Sequence, residues 1–186
     1  LTANETIEAT VVFIDICGFT AISEKESPDT VVNLINKYFD IMVKEIIEQG
    51  GYIDKFMGDA VMTVFKGEFH LDRAIEAALS VRSKIDVIQE HLPNFDTYLP
   101  KVSIGINTGE VISGNIGSAS LRRLDYTIIG DIVNTAQRLQ SVAKPSQVIV
   151  NEATYHKIKE SFTCHEVGEV NLKNKSLPVK IFEVVS

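Results

Sequence analysis

Residues 10–15 form a near-continuous apolar run of the kind found in strands buried on both faces, and the run ends on Asp15. A helix follows from Ser27-Pro28-Asp29, where Ser27 is placed to cap and Pro28 suits the first helical position. Within it Val31, Leu34, Ile35, Tyr38, Phe39, Met42, Val43, Ile46 and Ile47 recur at helical spacing, a stripe that belongs to the core, and Gly50-Gly51 ends it. Residues 52–65 read as a β-hairpin turning at Gly58-Asp59. A second long helix is expected over about residues 71–90, then a linker from Pro93 to Pro100. Residues 101–108 and 110–117 read as two strands joined around Gly109, 118–124 as a polar turn or arm, and 125–129 as a short strand. A helix at 131–143, a strand at 147–150, a short helix at 152–159 and strands near 163–171 and 179–184 complete the chain. Strands interleaved with two long helices, hairpins among them, predict an α+β (α/β) sandwich.

At 186 residues the chain is expected to form a single domain, 1–186, with a core of its own. It begins at Leu1, which suggests excision from a longer regulated protein carrying a sensor or a membrane anchor. Apolar residues at 45% and charged residues at 23% exclude a disordered chain, and no apolar run is long enough to span a bilayer. The net charge of −7, with no concentration of Lys and Arg, argues against nucleic acid as a partner. Cys17 and Cys164 lack zinc-site spacing and fit a reducing, cytoplasmic setting, and the four histidines read as surface residues.

The chemistry concentrates on two aspartates. Asp15 is followed by the loop Ile16-Cys17-Gly18-Phe19-Thr20, and Asp59 closes Asp54-Lys55-Phe56-Met57-Gly58-Asp59. Two carboxylates at neighbouring strand ends suit a hard divalent cation, and free N–H groups in a glycine-bearing loop can cradle phosphate. Metal beside phosphate points to nucleotide chemistry. Downstream, Asn134 and Arg138 in Val133-Asn134-Thr135-Ala136-Gln137-Arg138 are spaced i, i+4 and share one helical face.

The motif F-x-D-I-x-G-F-T followed by D-K-F-x-G-D and V-N-x-A-x-R resembles the catalytic domain of the class III nucleotidyl cyclases, over about residues 11–184. The resemblance implies a ferredoxin-like βαββαβ core with added C-terminal strands and with the helices on one face of a mostly antiparallel sheet. It implies two Mg²⁺ or Mn²⁺ ions on Asp15, Asp59 and the Ile16 carbonyl, and β- and γ-phosphates on the amides of Cys17, Gly18, Phe19 and Thr20. By the same resemblance Asn134 holds the ribose and Arg138 stabilises the pentavalent phosphorus. Arg123 contacts pyrophosphate, with Arg122 adjoining it, and Lys173 binds the triphosphate, with Lys175 as the competing alignment. Metal ligands and Asn–Arg pairs of one site come from different chains in this family, so a homodimer with two equivalent interface sites is implied.

Lys55 and Thr127 occupy the family's two base-selecting positions. Adenine offers an acceptor at N1 and a donor at N6, and guanine the reverse at N1 and O6. Lysine can only donate, whereas a threonine hydroxyl can donate or accept, so Lys55 is the stronger discriminator and ATP is favoured over GTP. The expected activity is conversion of ATP to 3′,5′-cyclic AMP and pyrophosphate. Guanylyl cyclase activity, or a silent cyclase-like regulatory dimerisation module, are the alternatives; Gly50-Gly51 is followed by Tyr52-Ile53-Asp54, which lacks the turn of the enzymes that make cyclic di-GMP. Threonine at the second selector is shared with cyclases that respond to bicarbonate.

Overall fold

The computed structural model describes residues 4–118, 120, 123–173 and 175–186, with the side chains of Arg123 and Leu124 outside the description. Strand β1 (Glu5–Ile16) lies mid-sheet, followed by α1 (Phe19–Lys25), α2 (Pro28–Glu48), β2 (Tyr52–Met57), β3 (Ala60–Lys66) and α3 (His70–Asp86). Then come β4 (Glu90–Leu92), β5 (Phe95–Tyr98), β6 (Val102–Ser118), β7 (Arg123–Ile129), α4 (Asp131–Val142), β8 (Val148–Asn151), α5 (Glu152–Ile158), β9 (Cys164–Val170) and β10 (Val179–Val184).

The main sheet runs β2-β3-β1-β6-β8-β10-β9, and β7 pairs with β6 off this path. Strands β6, β1, β3 and β2, joined through α2 and α3, form the ferredoxin-like βαββαβ core. Strands β8, β10 and β9 are the C-terminal addition. Among the described residues all strand pairings are antiparallel except β6 with β8.

Alternation along β1 divides the core. Val12, Ile14 and Ile16 face α2 and α3, meeting Leu34, Tyr38, Met42 and Ile46 of the first and Ala74, Ala77, Ala78 and Val81 of the second. Ala9, Val11 and Phe13 point the other way, toward Met62, Val64, Val111 and Ala136 of α4. The helices therefore do not share one face, as the resemblance implied; α4 covers the opposite side, where the apolar positions of β1 need a partner. The expected start of α2 is observed: Ser27 Oγ accepts from the Thr30 N–H at 3.3 Å, and Pro28 opens the helix.

Four expectations are corrected. Helix α3 ends at Asp86, not near 90, and residues 93–100 are not a linker: β4 and β5 form a hairpin. Its turn is tied down, since Asn94 N–H donates to Glu26 Oε1 at 2.7 Å and Asn94 Nδ2 to the Lys25 carbonyl at 2.7 Å. The chain does not break at Gly109, because β6 pairs without interruption along β1, from Val102 opposite Ile16 to Ser113 opposite Glu5. His70 is not a free surface residue; its Nδ1 lies 2.7 Å from Thr10 Oγ1, and burial pushes its pKa down.

One glycine sets the position of α4. A Cβ on Gly105 of β6 would fall 2.1 Å from the Gln140 backbone nitrogen and 2.5 Å from the Ala136 carbonyl oxygen. Backbone cannot yield as a side chain can, so only glycine lets α4 lie this close to the sheet. No helix among the described residues is long and apolar enough to cross a membrane.

Candidate active site

Asp15 is the last residue but one of β1, and Asp59 sits in the β2–β3 turn after Gly58, whose φ of +64° is a conformation that favours glycine. Register brings the two together: Asp15 is opposite Ala60, and the Ile16 N–H donates to the Asp59 carbonyl at 3.2 Å. The Asp15 carboxyl is pushed from its ordinary 3.8 up to about 7, first by burial, then by the charge of Asp59 and a side-chain hydrogen bond to it, against a lowering contribution from the Ile16 backbone. Two carboxylates crowded in this way carry negative charge that a hard cation would neutralise. Among the described residues no group of three or more His, Cys, Asp or Glu gathers as a metal cluster. Two carboxylates with neighbouring carbonyls fit Mg²⁺ or Mn²⁺, whose remaining positions phosphate and water can fill, and they do not fit an all-protein zinc cage.

The adjoining loop narrows the expectation for phosphate. The Cys17 N–H is already donated to the Lys101 carbonyl at 2.8 Å, because the β1–β6 pairing runs on one residue past the strand end. That amide is not open to a ligand. Gly18, with φ of +71°, turns the chain into α1, and the amides of Phe19 and Thr20 open the first turn of that helix, where N–H groups have no acceptor within the helix. The Cys17 thiol, 2.9 Å from Ser103 Oγ, has its pKa pushed up by burial. Phe19, Thr20, Ser23, Ile35, Gly58 and Asp59 line a cavity of about 370 Å³.

A second group gathers elsewhere. Lys55 and Thr127 line a cavity of about 410 Å³ with Asp54, Asp125 and Tyr126. A neighbouring cavity of about 400 Å³ also takes Lys55, together with Met57, Gly130, Asn134 and Gln137. Asn134 is exposed on α4; Arg138, one turn further on, is half-buried and outside the lining of these cavities.

The residue that sequence reasoning missed is Asp54. The β2–β3 register shifts between Ile53, opposite Thr63, and Lys55, opposite Met62, so Asp54 is the extra residue of a bulge. In a regular strand Asp54 and Lys55 would point to opposite faces; the bulge aims both at one cavity. Thr127 Oγ1 donates to the Asp54 carboxylate, with its two oxygens at 2.8 and 2.9 Å, and Lys55 Nζ lies 3.4 Å from Oδ1. Asp54 opens the D-K-F-x-G-D motif, but the spacing of that motif does not reveal the bulge.

The cationic candidates separate. Lys173 is exposed in a turn. Lys175 Nζ donates to Asp131 Oδ2 at 2.9 Å, which ties it to the first residue of α4. Arg122 and the Arg123 side chain lie outside the described residues.

The structure thus brings Asp59, Phe19 and Thr20 to one cavity and Lys55, Thr127 and Asn134 to two others joined through Lys55; none of the three holds both groups. Residues 1–184 match the family model described as the adenylate and guanylate cyclase catalytic domain. The chain is 34% identical to an adenylate cyclase of Anabaena cylindrica over 98% of its own length, but spans only 38% of that protein. Its structure is similar to that of an adenylyl cyclase from P. aeruginosa (TM-score 0.88, 32% identity, 100% of this chain and 97% of that one). It is similar also to a guanylyl cyclase structure (TM-score 0.86, 30% identity, 98% and 94% covered).

Proposed function

From the premise that this chain belongs to the adenylate and guanylate cyclase catalytic-domain family, we propose that it is an adenylyl cyclase working as a homodimer in the cytoplasm. In the reaction the ribose 3′-oxygen bonds to the α-phosphorus of ATP, the bond from that phosphorus to the β-phosphate bridging oxygen breaks, and the hydroxyl proton and pyrophosphate leave. The observation that carries the reading is the pairing of a crowded Asp15–Asp59 dyad with a base pocket holding Lys55 as donor beside Thr127.

Divalent cations on Asp15, Asp59 and the Ile16 carbonyl would lower the barrier to losing the hydroxyl proton and neutralise the leaving pyrophosphate. The Gly18, Phe19 and Thr20 amides hold the β- and γ-phosphates. Asn134 orients the ribose, and Arg138 meets the charge that grows on the α-phosphorus. Arg123 and a lysine of the last hairpin draw off pyrophosphate charge; of the two lysines, Lys175 has its ammonium held at the head of α4 and Lys173 has the freer reach. Lys55 donates to adenine N1, and Thr127 accepts from N6. Sensor or regulatory segments of a longer chain would set its activity. Product identification after incubation with ATP and, separately, GTP tests the assignment: cyclic AMP from ATP in clear excess over cyclic GMP from GTP is expected. Cyclic GMP in excess would favour the guanylyl alternative, and no cyclic product from either would favour the silent module.

The separation of the two residue groups is the argument for the homodimer. In a two-fold pair, the Asp15–Asp59 face of one chain can meet the Lys55–Asn134 face of its copy, twice over. Asp59→Ala and Asn134→Ala chains should each be inactive alone. Mixed, they form some heterodimers with one intact site and recover part of the activity. No recovery, once heterodimers are demonstrated by differential tagging, would place the whole site within one chain.

A further inference from the structure

The base pocket contains a buried carboxylate that the mechanism above does not use. The Asp54 side chain is only 1% exposed, whereas its neighbour Lys55 is 46% exposed. Both of its oxygens lie within hydrogen-bond reach of the Thr127 hydroxyl, at 2.8 and 2.9 Å. A threonine hydroxyl has one proton and two lone pairs, and a carboxylate can only accept. The proton of Thr127 is therefore directed at Asp54, across from β7 to the bulge of β2, and what Thr127 turns toward the cavity is lone pair. Lys55, beside the same carboxylate, brings only donors to the cavity it lines.

We infer that Asp54 is a base-selecting positioning residue: by taking the Thr127 proton it fixes that hydroxyl as an acceptor beside the Lys55 donor. A pocket so ordered accepts a purine that offers an acceptor next to an exocyclic amino donor. It opposes one that offers a ring N–H next to a carbonyl, where Thr127 and the carbonyl would face each other lone pair to lone pair. The ambivalence of threonine as a selector is removed by a residue on another strand. This rests on the reading that the cavity takes the base of a nucleoside triphosphate.

The test measures binding of the non-cyclisable analogues 3′-deoxy-ATP and 3′-deoxy-GTP, by displacement of a fluorescent nucleotide, together with kcat/KM for ATP and GTP. Asp54→Asn keeps the shape but lets the amide donate to Thr127, freeing its proton for a carbonyl. The ATP-to-GTP ratio should fall about ten-fold or more, the effect of replacing a matched hydrogen bond by an opposed one. Thr127→Val should lower the ratio similarly, and adding Asp54→Asn to it should then change the ratio by no more than about two-fold, because two residues acting through one contact are not additive. Thr127→Ser, which restores the hydroxyl, should keep the wild-type ratio. A purely structural role would depress both nucleotides alike and leave the ratio where it was; that result overturns the inference. So does an Asp54→Asn effect that persists at full size in the Thr127→Val background, which would mean that Asp54 touches the base itself. Should Asp54→Asn fail to fold by circular dichroism, Asp54→Ala, which removes the acceptor that β2 offers the Thr127 proton, decides: a fallen ATP-to-GTP ratio supports the inference, and an unchanged ratio overturns it. Failure of the wild-type chain to bind either analogue would remove the nucleotide reading and this one together, and it shows before any variant is made.

Discussion

Asp15→Asn is expected to abolish cyclase turnover and, at the same time, to stabilise the metal-free fold at neutral and alkaline pH. Loss of a metal ligand takes away several kcal/mol of transition-state stabilisation, so kcat/KM should fall by about a hundred-fold or more. The stability change follows from the carboxyl whose pKa is pushed up to about 7 from the ordinary 3.8. The folded state holds that proton more tightly than the unfolded state does. The contribution to stability is therefore complete below about 4 and is lost as pH rises through about 7. Above that range the wild-type domain, without metal, carries an ionised Asp15 pressed against Asp59, whereas the Asn variant does not. Thermal melts in chelator should show the variant melting higher at pH 8, with the difference closing toward pH 4. Added Mg²⁺ should raise the melting temperature of the wild type and have much less effect on the variant. A variant that melts lower than wild type at pH 8 in chelator would mean that the dyad is not a strained site, and near-normal Mg²⁺-dependent turnover would remove Asp15 from the metal set.

Arg138→Ala carries the second large effect. Arg138 is outside the cavities that Lys55, Thr127 and Asn134 line, and the proposed mechanism leaves base and ribose recognition to those residues. In the proposed mechanism its contribution would be to the charge that builds on the α-phosphorus during attack. Removing a group that acts only in the transition state lowers kcat and kcat/KM together and leaves KM nearly unchanged. The expected fall in kcat is about a hundred-fold or more, the scale of losing one preorganised charge-stabilising donor. Steady-state kinetics with ATP at saturating Mg²⁺ check it. A variant that mainly raises KM would show Arg138 gripping the triphosphate before reaction.

What was legible in the chain was what local chemistry dictates. The apolar run ending on Asp15, the capped start of α2 and the Gly58-Asp59 turn each depend on neighbours in sequence, and each is observed. Misreadings arose where a distant partner decides. Gly109 reads as a break, but twelve residues of β1 hold β6 straight across it. Residues 93–100 read as a linker because the contacts that order them come from Glu26 and Lys25, far away along the chain. Apolar residues on both faces of β1 were legible, but which helix covers which face was not, since that is set by the order of strands in the sheet. At the site, residue types singled out the two aspartates as candidates, and the resemblance singled out Lys55 and Asn134. Asp54 escaped because a bulge, which leaves no signature in composition, turns it inward. The Cys17 amide read as a ligand for phosphate because its acceptor, the Lys101 carbonyl, is 84 positions distant in numbering (101 − 17).

The near-contact of α4 with β6 at Gly105 has a mechanical meaning. Side chains that interdigitate can slide by changing rotamer, but two backbones in direct apposition have no such slack. Asn134 and Arg138 are thereby held at a fixed place against β6, and the cavity that Lys55 and Thr127 line sits on strands of the same sheet. In the proposed pair, the adjustable element is then the angle between the two halves, and a regulatory input would act by changing that angle, bringing reactive groups into line or out of it.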